Sequence, residues 1–417
     1  MNAWIINQTA TPPSLGGLVR HYYFAKYLKQ NNNDIKIITS SKIHNTDINF
    51  IDDNSLYINK EIDNMEYTFV KTCNYVSNGA KRIYSMLQFA NNAKRTCKSL
   101  MSKGEKPDVI YTSSPTPFSA FIAIKFAKSQ NIKSVLEIRD LWPASIVAYS
   151  NISEKNPIIK ILYRLEKWMY KNADNLIFTF PGGKDYICDK GWDKDIDLSK
   201  IYNVNNGVDL EEFNYNKVNY VYEDEDLQNE NLFKVIYMGS IRQAYNILAL
   251  VEAAKILSDQ GHSNIKILVF GDGTEREELE EKCKEYGLNN IVFKGKVEKK
   301  YIASILSHSD LNIVNVIHSE IISKYGSSWN KLFEYLASGK PILSNNPVNY
   351  DLIKKYNCGI SKVMSSPAEY AESILSFSKM PKSEYDSMCS NVLSLVKEYD
   401  YKNLTKQIEE ILAKEQN

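Results

Sequence analysis

The sequence predicts an α/β protein built from two doubly wound, Rossmann-like domains. Three observations lead there. Short β-branched runs alternate with helical patterns from end to end, which is the signature of βαβ units on a parallel sheet. A polar, acid-rich stretch, "NYNKVNYVYEDEDLQNENL" (Asn214–Leu232), interrupts this rhythm once, and the rhythm then restarts. The length, 417 residues, suits two domains at roughly 100–200 residues each.

In the first half "AWIIN" reads as a strand, the loop "TATPPSLGG" comes after it, and "LVRHYYFAKYLKQN" repeats apolar residues at helical spacing. "DIKIITS" and "DVIYTSS" are strands, Pro117 to Ser129 is a helix, and "KSVLEIRD" is a strand. The helix "IIKILYRLEKWMYKNA" and the strand "DNLIFTF" come next. In the second half the strands are "FKVIYMGS", "NIKILVFGDG", "NIVFKGK", "DLNIVNV" and "KPILS". The helices between them include "NILALVEAAKILSDQG", "TEREELEEKCKEYG", "KKYIASILSHS" and "NKLFEYLASG". The expected organisation is a domain over 1–205, a linker over 206–231, a second domain over 232–398 and a terminal helical segment over 399–417.

Composition is that of an ordinary globular protein, 43% hydrophobic and 24% charged, enough for two cores. The net charge of +1 hides an asymmetry: residues 1–200 hold 27 Lys+Arg against 19 Asp+Glu, which leaves 24 against 31 in the rest of the 51 and 50. A basic half points to an anionic partner or to chance segregation of surface charge. Nothing resembles a nucleic-acid reading helix or stacking motif, so nucleic acid is not expected. Six scattered cysteines without C-x-x-C, and five histidines without ligand spacing, predict neither a metal centre nor a disulfide framework, and reduced thiols fit a cytoplasmic location. "MNAWIINQTATPPS" lacks the basic and apolar regions of a signal peptide, and no run approaches the ~20 apolar residues of a spanning helix.

Ligands of open parallel sheets bind at the carboxyl ends of the strands, so the loops there are the candidate sites. "TPPSLGGLVRH" places Gly16 and Gly17 at a helix start, where backbone N–H groups can face an anion, with Arg20 close by; a flexible loop before a helix reads equally well. "LEIRDLWPASI" sets Arg139 and Asp140 after an apolar strand. Asp140 can engage a substrate hydroxyl, or pair with Arg139, or cap the segment after it. "YMGSIRQAYNI" offers Gly239 for close approach and Arg242 as a fork for phosphate oxygens, or merely an exposed arginine. "VFGDGTEREEL" carries Gly271, Asp272 and Gly273 but has Arg276 where a dinucleotide fingerprint needs its third glycine, so no nicotinamide cofactor is expected. A plain turn also explains these glycines.

"SSWNKLFEYLASGKPIL" encodes a short helix whose Leu332, Phe333, Leu336 and Ala337 share one side, with Glu334 off that side. Glu334 is either a solvated outer-face acid or a ligand-binding one. If the helix start holds a phosphate on the amides of Asn330, Lys331 and Leu332, Glu334 one turn on suits the vicinal diol of a ribose.

Taken in order, "GGLVRHYYFAKYL", "VLEIRDLWPASI", "NVNNGVD", "FGDGTEREELE" with "IVFKGKV", and "NKLFEYLASGKPIL" make the chain resemble the retaining glycosyltransferases of family 4, of GT-B fold. "RDLWP" and "NKLFEY…GKP" look most like the subgroup that transfers amino sugars in bacterial surface polysaccharide assembly. The resemblance implies two domains facing across a cleft and a UDP-sugar donor held mainly by the second. It implies Glu334 on the donor ribose, the amides around Lys331 and Leu332 on the diphosphate, and Gly271 to Gly273 with Val297 flanking the nucleoside. Gly16 and Gly17 would approach the diphosphate from the first domain, and the terminal segment would cross back to that domain. Asp140, Arg242 and Lys331 are the expected catalytic residues, and Arg20, Arg139 and Asp140 the expected acceptor contacts. No metal is required, because helix N–H groups and a cation can neutralise the leaving diphosphate; Asp193-Lys194-Asp195 lies in a polar segment and reads as a solvated loop.

The chain departs from the family pattern at three places. Gly326 stands where many relatives have a first glutamate, Ser240 follows Gly239, and Tyr245 occupies a position where lysine is common, leaving Arg242 as the substitute. His318 and Glu320 are alternatives for gripping the sugar. The expected acceptor is a lipid-linked or free saccharide. In "GAKRIYSMLQFANNAKRTCKSLM", Ile83, Met86, Leu87 and Ala90 can share a face ringed by basic residues, which would rest on an anionic membrane or pack in the core. Two other functions are compatible with the sequence: a nucleotide-sugar epimerase of the same fold, and a non-catalytic glycan- or lipid-binding protein.

Overall fold

The computed structural model describes residues 1–75, 79–149 and 152–414. The chain forms two contact units, Met1–Asn205 with the chain from Tyr401 onward, and Asn206–Asp400.

The first unit has strands β1 (Asn2–Ile6), β2 (Asp34–Ser40), β3 (Tyr57–Ile62), β4 (Met65–Val70), β5 (Val109–Ser113), β6 (Lys133–Ile138), β7 (Asn175–Phe178) and β8 (Ile201–Asn203). Their order in the sheet is 3-4-2-1-5-6-7-8. All pairs are parallel except β3–β4, an edge hairpin turning through Asp63 and Asn64, both at positive φ. That hairpin was not legible because β3 is half-polar on an outer edge, "YINKEI". The helices are α1 (Arg20–Gln30), α2 (Ala80–Ser102), α3 (Pro117–Ser129), α4 (Ala144–Tyr149), α5 (Pro157–Asn172) and α6 (Gly183–Asp189). Pro117 and Pro157 begin their helices at the position where a missing N–H does no harm, and the Asn156 side chain caps α5 by accepting from Ile158 N. The chain runs outward from β1 to one edge of the sheet and from β5 to the other, so α1 lies on one face and α2, α3 and α5 on the opposite one. The cores agree: Ile5, Ile37 and Tyr111 pack with Phe24 and Leu28 of α1, while Trp4, Ile38 and Ile110 pack with Phe89, Ala93 and Phe126 of α2 and α3.

The second unit has strands β9 (Phe233–Met238), β10 (Ile265–Phe270), β11 (Ile291–Gly295), β12 (Leu311–Val314), β13 (Ile342–Ser344) and β14 (Gly359–Ser361), all parallel, in the order 11-10-9-12-13-14. Its helices are α7 (Leu210–Asn219), α8 (Glu225–Gln228), α9 (Leu248–Asp259), α10 (Arg276–Glu285), α11 (Ile302–Ser307), α12 (Glu320–Tyr325), α13 (Asn330–Ala337), α14 (Leu352–Lys355), α15 (Pro367–Ser378) and α16 (Lys382–Leu395).

The expected linker over 206–231 is a correction. That stretch holds α7 and α8, with Phe213 and Leu227 buried in the second unit's core. Its acids gave the impression of a solvated tether, yet Asp224 and Asp226 each lie 2.7 Å from Lys294 Nζ on β11. The final helix, α17 (Tyr401–Ala413), packs on α1 through Tyr401, Leu404 and Ile408. Lys133 Nζ caps its end, donating to the carbonyls of Ile411 at 2.7 Å and Leu412 at 3.2 Å.

Candidate active site

In the second sheet the direction of strand progression reverses between β9 and β12, and the loops after these strands flank the switch point where open sheets bind ligands. These loops are stitched together. Ile317 N donates to Ala244 O at 2.8 Å and Asn315 Nδ2 to Asn246 O at 2.9 Å. α13, which comes after the β12 loop, is fixed to the end of β9 by Tyr335, whose hydroxyl accepts from Met238 N at 2.8 Å and donates to Met238 O at 3.2 Å. Leu332, Phe333, Tyr335 and Leu336 are buried. This leaves Lys331 and Glu334, three residues apart, half-buried on the other side.

Lys331 reaches the β9 loop. Its ammonium lies 4.7 Å from the ring centre of Tyr237 and 4.3 Å from that of Tyr245, and a side chain built on Gly239 would come within 3.5 Å of it. Among the described residues no carboxylate pairs with it, and burial lowers its pKa from 10.5 to about 7. Trp329, at the cap position of α13, provides no side-chain bond to the first turn, and Ser319 Oγ and Ser327 Oγ in the preceding segment are buried without partners. Glu334 points elsewhere. Burial raises its pKa, and Lys299 and Glu212 are the charges it senses, the first lowering and the second raising it. The carboxylate is therefore half-buried, which the expectation of a side chain simply turned off the apolar face did not include.

Arg242 is exposed on the β9 loop, so the cation at Gly239 is Lys331. Gly271 and Gly273 have a packing reason: a Cβ on Gly271 would stand 1.8 Å from Gly239 O, and one on Gly273 2.0 Å from Ile241 O. They let the β9 and β10 loops lie against each other, joined by Ile241 N donating to Asp272 O at 3.0 Å. The Asp272 side chain is exposed. Val297 is half-buried beyond β11 among the core residues of this unit. His318 is exposed and touches Ser323 Oγ at 3.3 Å, and Glu320 opens α12. Gly326 ends α12 at φ +87°, a conformation that a glutamate rarely adopts.

In the first unit, Gly16 and Gly17 lie in the loop after β1, on the switch side of that sheet. A Cβ on Gly17 would meet nothing within 4 Å, so packing does not demand its glycine. Arg139 and Asp140 leave β6. Asp140 is exposed by surface area, yet its pKa is raised by lost solvation, with Arg139 opposing. Arg20 is a correction as an acceptor contact. It is 1% exposed and fully engaged within the fold: Nε lies 2.7 Å from Glu137 Oε2, and the two terminal nitrogens donate to Asn205 O at 2.5 Å and Val204 O at 2.8 Å. Burial alone would raise the pKa of Glu137, but Arg20, His21 and Arg139, with the Tyr111 hydroxyl, hold it at about 2. Asp195 is tied to Lys167 at 2.6 Å and Lys171 at 3.2 Å. Among the described residues no cluster of three or more His, Cys, Asp or Glu is arranged to hold a metal ion.

Comparison with known proteins matches both halves to sugar-transfer families. Residues 15–212 match Glycosyltransferase Family 4, and residues 222–392 match Glycosyl transferases group 1. The chain is a glycosyltransferase of the GT-B fold. Solved structures align along nearly its whole length. HepE of Anabaena in complex with UDP has a TM-score of 0.66 at 13% identity, covering 99% of this chain and 100% of that one. The E. coli trehalose-6-phosphate structure bound with UDP-2-fluoro glucose has a TM-score of 0.73 at 10% identity, covering both chains fully. The α,α-trehalose 6-phosphate synthase of Burkholderia multivorans has 0.70 at 11%, covering 99% and 98%. A 2-deoxystreptamine N-acetyl-D-glucosaminyltransferase of Niallia circulans is 31% identical over 113 residues, so the match spans 27% of each chain.

In the glycosyltransferase's sequence nothing marks Tyr237 and Tyr245 as the aromatic seat of Lys331, or Tyr335 as the anchor of its helix. The signal at Tyr245 was visible only as a departure from the family pattern. A tyrosine in place of a lysine fits a site whose cation arrives from α13 and rests on a ring face.

Proposed function

We propose that this glycosyltransferase takes a UDP-sugar as donor and transfers the sugar, a HexNAc, with retention of configuration to a lipid-linked or saccharide acceptor in cell-surface polysaccharide assembly. One observation carries the reading: the Lys331 ammonium, desolvated and without an acid partner, at the Gly239 turn beside the start of α13. A half-buried cation with ring faces but no counter-charge beside it is a ready seat for an anion, and a diphosphate fits it. As the glycosidic bond breaks, negative charge gathers on the departing phosphate, where Lys331 and the first-turn amides of α13 stabilise it without a metal. Arg242, on the adjoining loop, contributes a second cation. Glu334 accepts hydrogen bonds from the ribose hydroxyls, the glycine loops after β9 and β10 with Val297 flank the nucleoside, and Gly16 and Gly17 admit the diphosphate to the first domain's loop. Asp140, with Arg139 beside it, engages the acceptor hydroxyl. The partial match to an N-acetylglucosaminyltransferase favours the HexNAc donor.

The test is a thermal-shift screen over nucleotides and nucleotide sugars, then mass spectrometry with lipid-linked acceptors. UDP and a UDP-HexNAc should raise the melting temperature, and a glycosylated product should form in the presence of EDTA. Absence of a shift with every uridine nucleotide sinks the reading. A new sugar nucleotide formed without acceptor would mark an epimerase instead.

A further inference from the structure

The helical layer formed by α2, α3 and α5 has an unusual charge census. α2 carries five lysines and arginines, α3 two and α5 four, while the three helices together contain one acid, Glu166. That acid does not face solvent. It is 1% exposed, accepting from the hydroxyls of Tyr170 at 2.8 Å and Tyr186 at 2.9 Å. The three helices thus present cations and no acid of their own to solvent, although at the far end of α5 Lys167 and Lys171 are tied to Asp195. Glu154, in the turn before α5, is tied to Lys190 at 3.3 Å and the Tyr163 hydroxyl at 2.7 Å.

The same layer gathers exposed aliphatic side chains at one end. Among the described residues of 1–205, seven large hydrophobics are exposed, and six belong here: Ile83 (54%), Tyr84 (60%), Leu87 (48%), Ile152 (41%), Ile158 (65%) and Ile161 (59%). Ile83, Tyr84 and Leu87 occupy the first turns of α2, and Ile158 and Ile161 the first turns of α5. In a parallel sheet the start of each crossover helix lies at the carboxyl end of the strands. The Gln8 side chain, just past β1, accordingly reaches Ser85 at 3.3 Å. α3 packs against both α2 and α5, so both clusters sit on one layer and at one edge, the edge that also carries Gly16, Gly17 and Asp140. The face expected for α2 is thereby split: Ala90 is buried in the core and Met86 half-buried, while Ile83 and Leu87 stay outside.

We infer that this edge, the first turns of α2 and α5 with the basic layer behind them, is a docking surface for an anionic lipid bilayer. Isolated aliphatics flanked by lysine and arginine suit the boundary between acyl chains and charged headgroups. A second copy docked face to face would oppose two cationic surfaces, and a nucleic acid would call for a series of planar rings to stack on, where this edge offers Tyr84 among four isoleucines and a leucine. The inference rests on the reading of a lipid-linked acceptor and deepens it, because it names the surface that brings such an acceptor to the carboxyl edge of the first sheet.

The experiment is flotation of the full chain with phosphatidylcholine vesicles, with and without phosphatidylglycerol, at low and high salt. Binding should require the anionic lipid and weaken with salt. It should fall at least roughly tenfold in an Ile83→Ser, Leu87→Ser, Ile158→Ser, Ile161→Ser variant, while Lys29→Glu and Lys406→Glu on the opposite layer change it little. The thermal shift given by UDP reports separately: if it persists in the fourfold variant, the fold and donor site are intact. Failure of the wild type to float with anionic vesicles, equal flotation of the fourfold variant, or loss of flotation in the opposite-layer variants overturns the inference. So does a concentration-dependent dimer in sedimentation that the same substitutions abolish without any flotation. A flotation failure with an intact UDP shift strikes this surface alone, whereas a missing UDP shift with intact flotation strikes the transfer reading.

Discussion

Lys331 is held in the folded chain at a free-energy disadvantage, and its ionisation sets the sign of two predictions. Its pKa is about 7 in the folded chain against an ordinary 10.5, so the fold disfavours the charged form. Below pH 7 both the folded and the unfolded chain carry the proton, and the penalty is present in full. It fades as pH rises from 7 towards 10.5. Lys331→Met should therefore raise the unfolding free energy at pH 6–7 by roughly 1 kcal/mol, with a gain that shrinks in alkali, while UDP affinity falls about tenfold or more. Thermal denaturation across pH, alongside titration calorimetry, measures both. A bound diphosphate favours the charged lysine, so UDP binding by the wild type above pH 7 should take up a proton and weaken as pH rises. The apparent binding enthalpy will then depend on the ionisation enthalpy of the buffer. Glu334→Gln should weaken UDP binding about tenfold without lowering the melting temperature at pH 7, because the half-buried carboxylate already has a raised pKa and the amide sheds that desolvation cost.

At the scale of elements, the two glycine loops make a contrasting pair. Gly271→Ala or Gly273→Ala puts a methyl within about 2 Å of a backbone oxygen in the β9 loop, which must move. Each should destabilise the second unit by roughly 2 kcal/mol or more and abolish UDP binding. Gly17→Ala meets open space and should leave the unfolding free energy within about half a kcal/mol, so any loss of transfer activity there reports on the ligand. These elements also show what the sequence could reveal. Strands such as β5, β6 and β10 are short runs rich in Val, Ile and Leu, and α13 ends at Gly339 before Pro341, so their existence was written locally. The β3–β4 hairpin and α7 were not, because half-polar edge strands and helices with few aliphatics are recognisable only by what they pack on. At the site, the glycines were legible as residues in strand-end loops, and Lys331 and Glu334 as residues of a short helix that starts beyond one. The seat of Lys331 on Tyr237 and Tyr245 was not, since it joins positions on β9, its loop and α13 that are close only once the sheet has formed.

For the molecule as a whole, the first unit is organised around a buried charge. Glu137 accepts from Arg20, from Ser113 Oγ at 3.1 Å and from the Tyr111 hydroxyl, and Arg20 in turn holds the carbonyls of Val204 and Asn205 where the chain leaves that unit. Arg20→Met strands a carboxylate that solvent does not reach, and should cost roughly 3–5 kcal/mol in denaturant unfolding of the first unit. On the second unit's side of the same crossover, Asn206 N donates to Ser328 Oγ at 2.8 Å, two residues before α13. α17 gives the first unit an unusual dependence. Its Tyr401 stacks on Tyr23 at 4.8 Å between ring centres and meets Phe24 edge-on, so a layer begun by α1 is completed by α17. On the ribosome, residues 206–400 emerge as an uninterrupted piece and can mature as they appear. The amino-terminal piece is translated first but stays incomplete until the codons for Tyr401 to Ala413 have been read. A nonsense mutation in those codons should consequently cripple the first unit and spare the second.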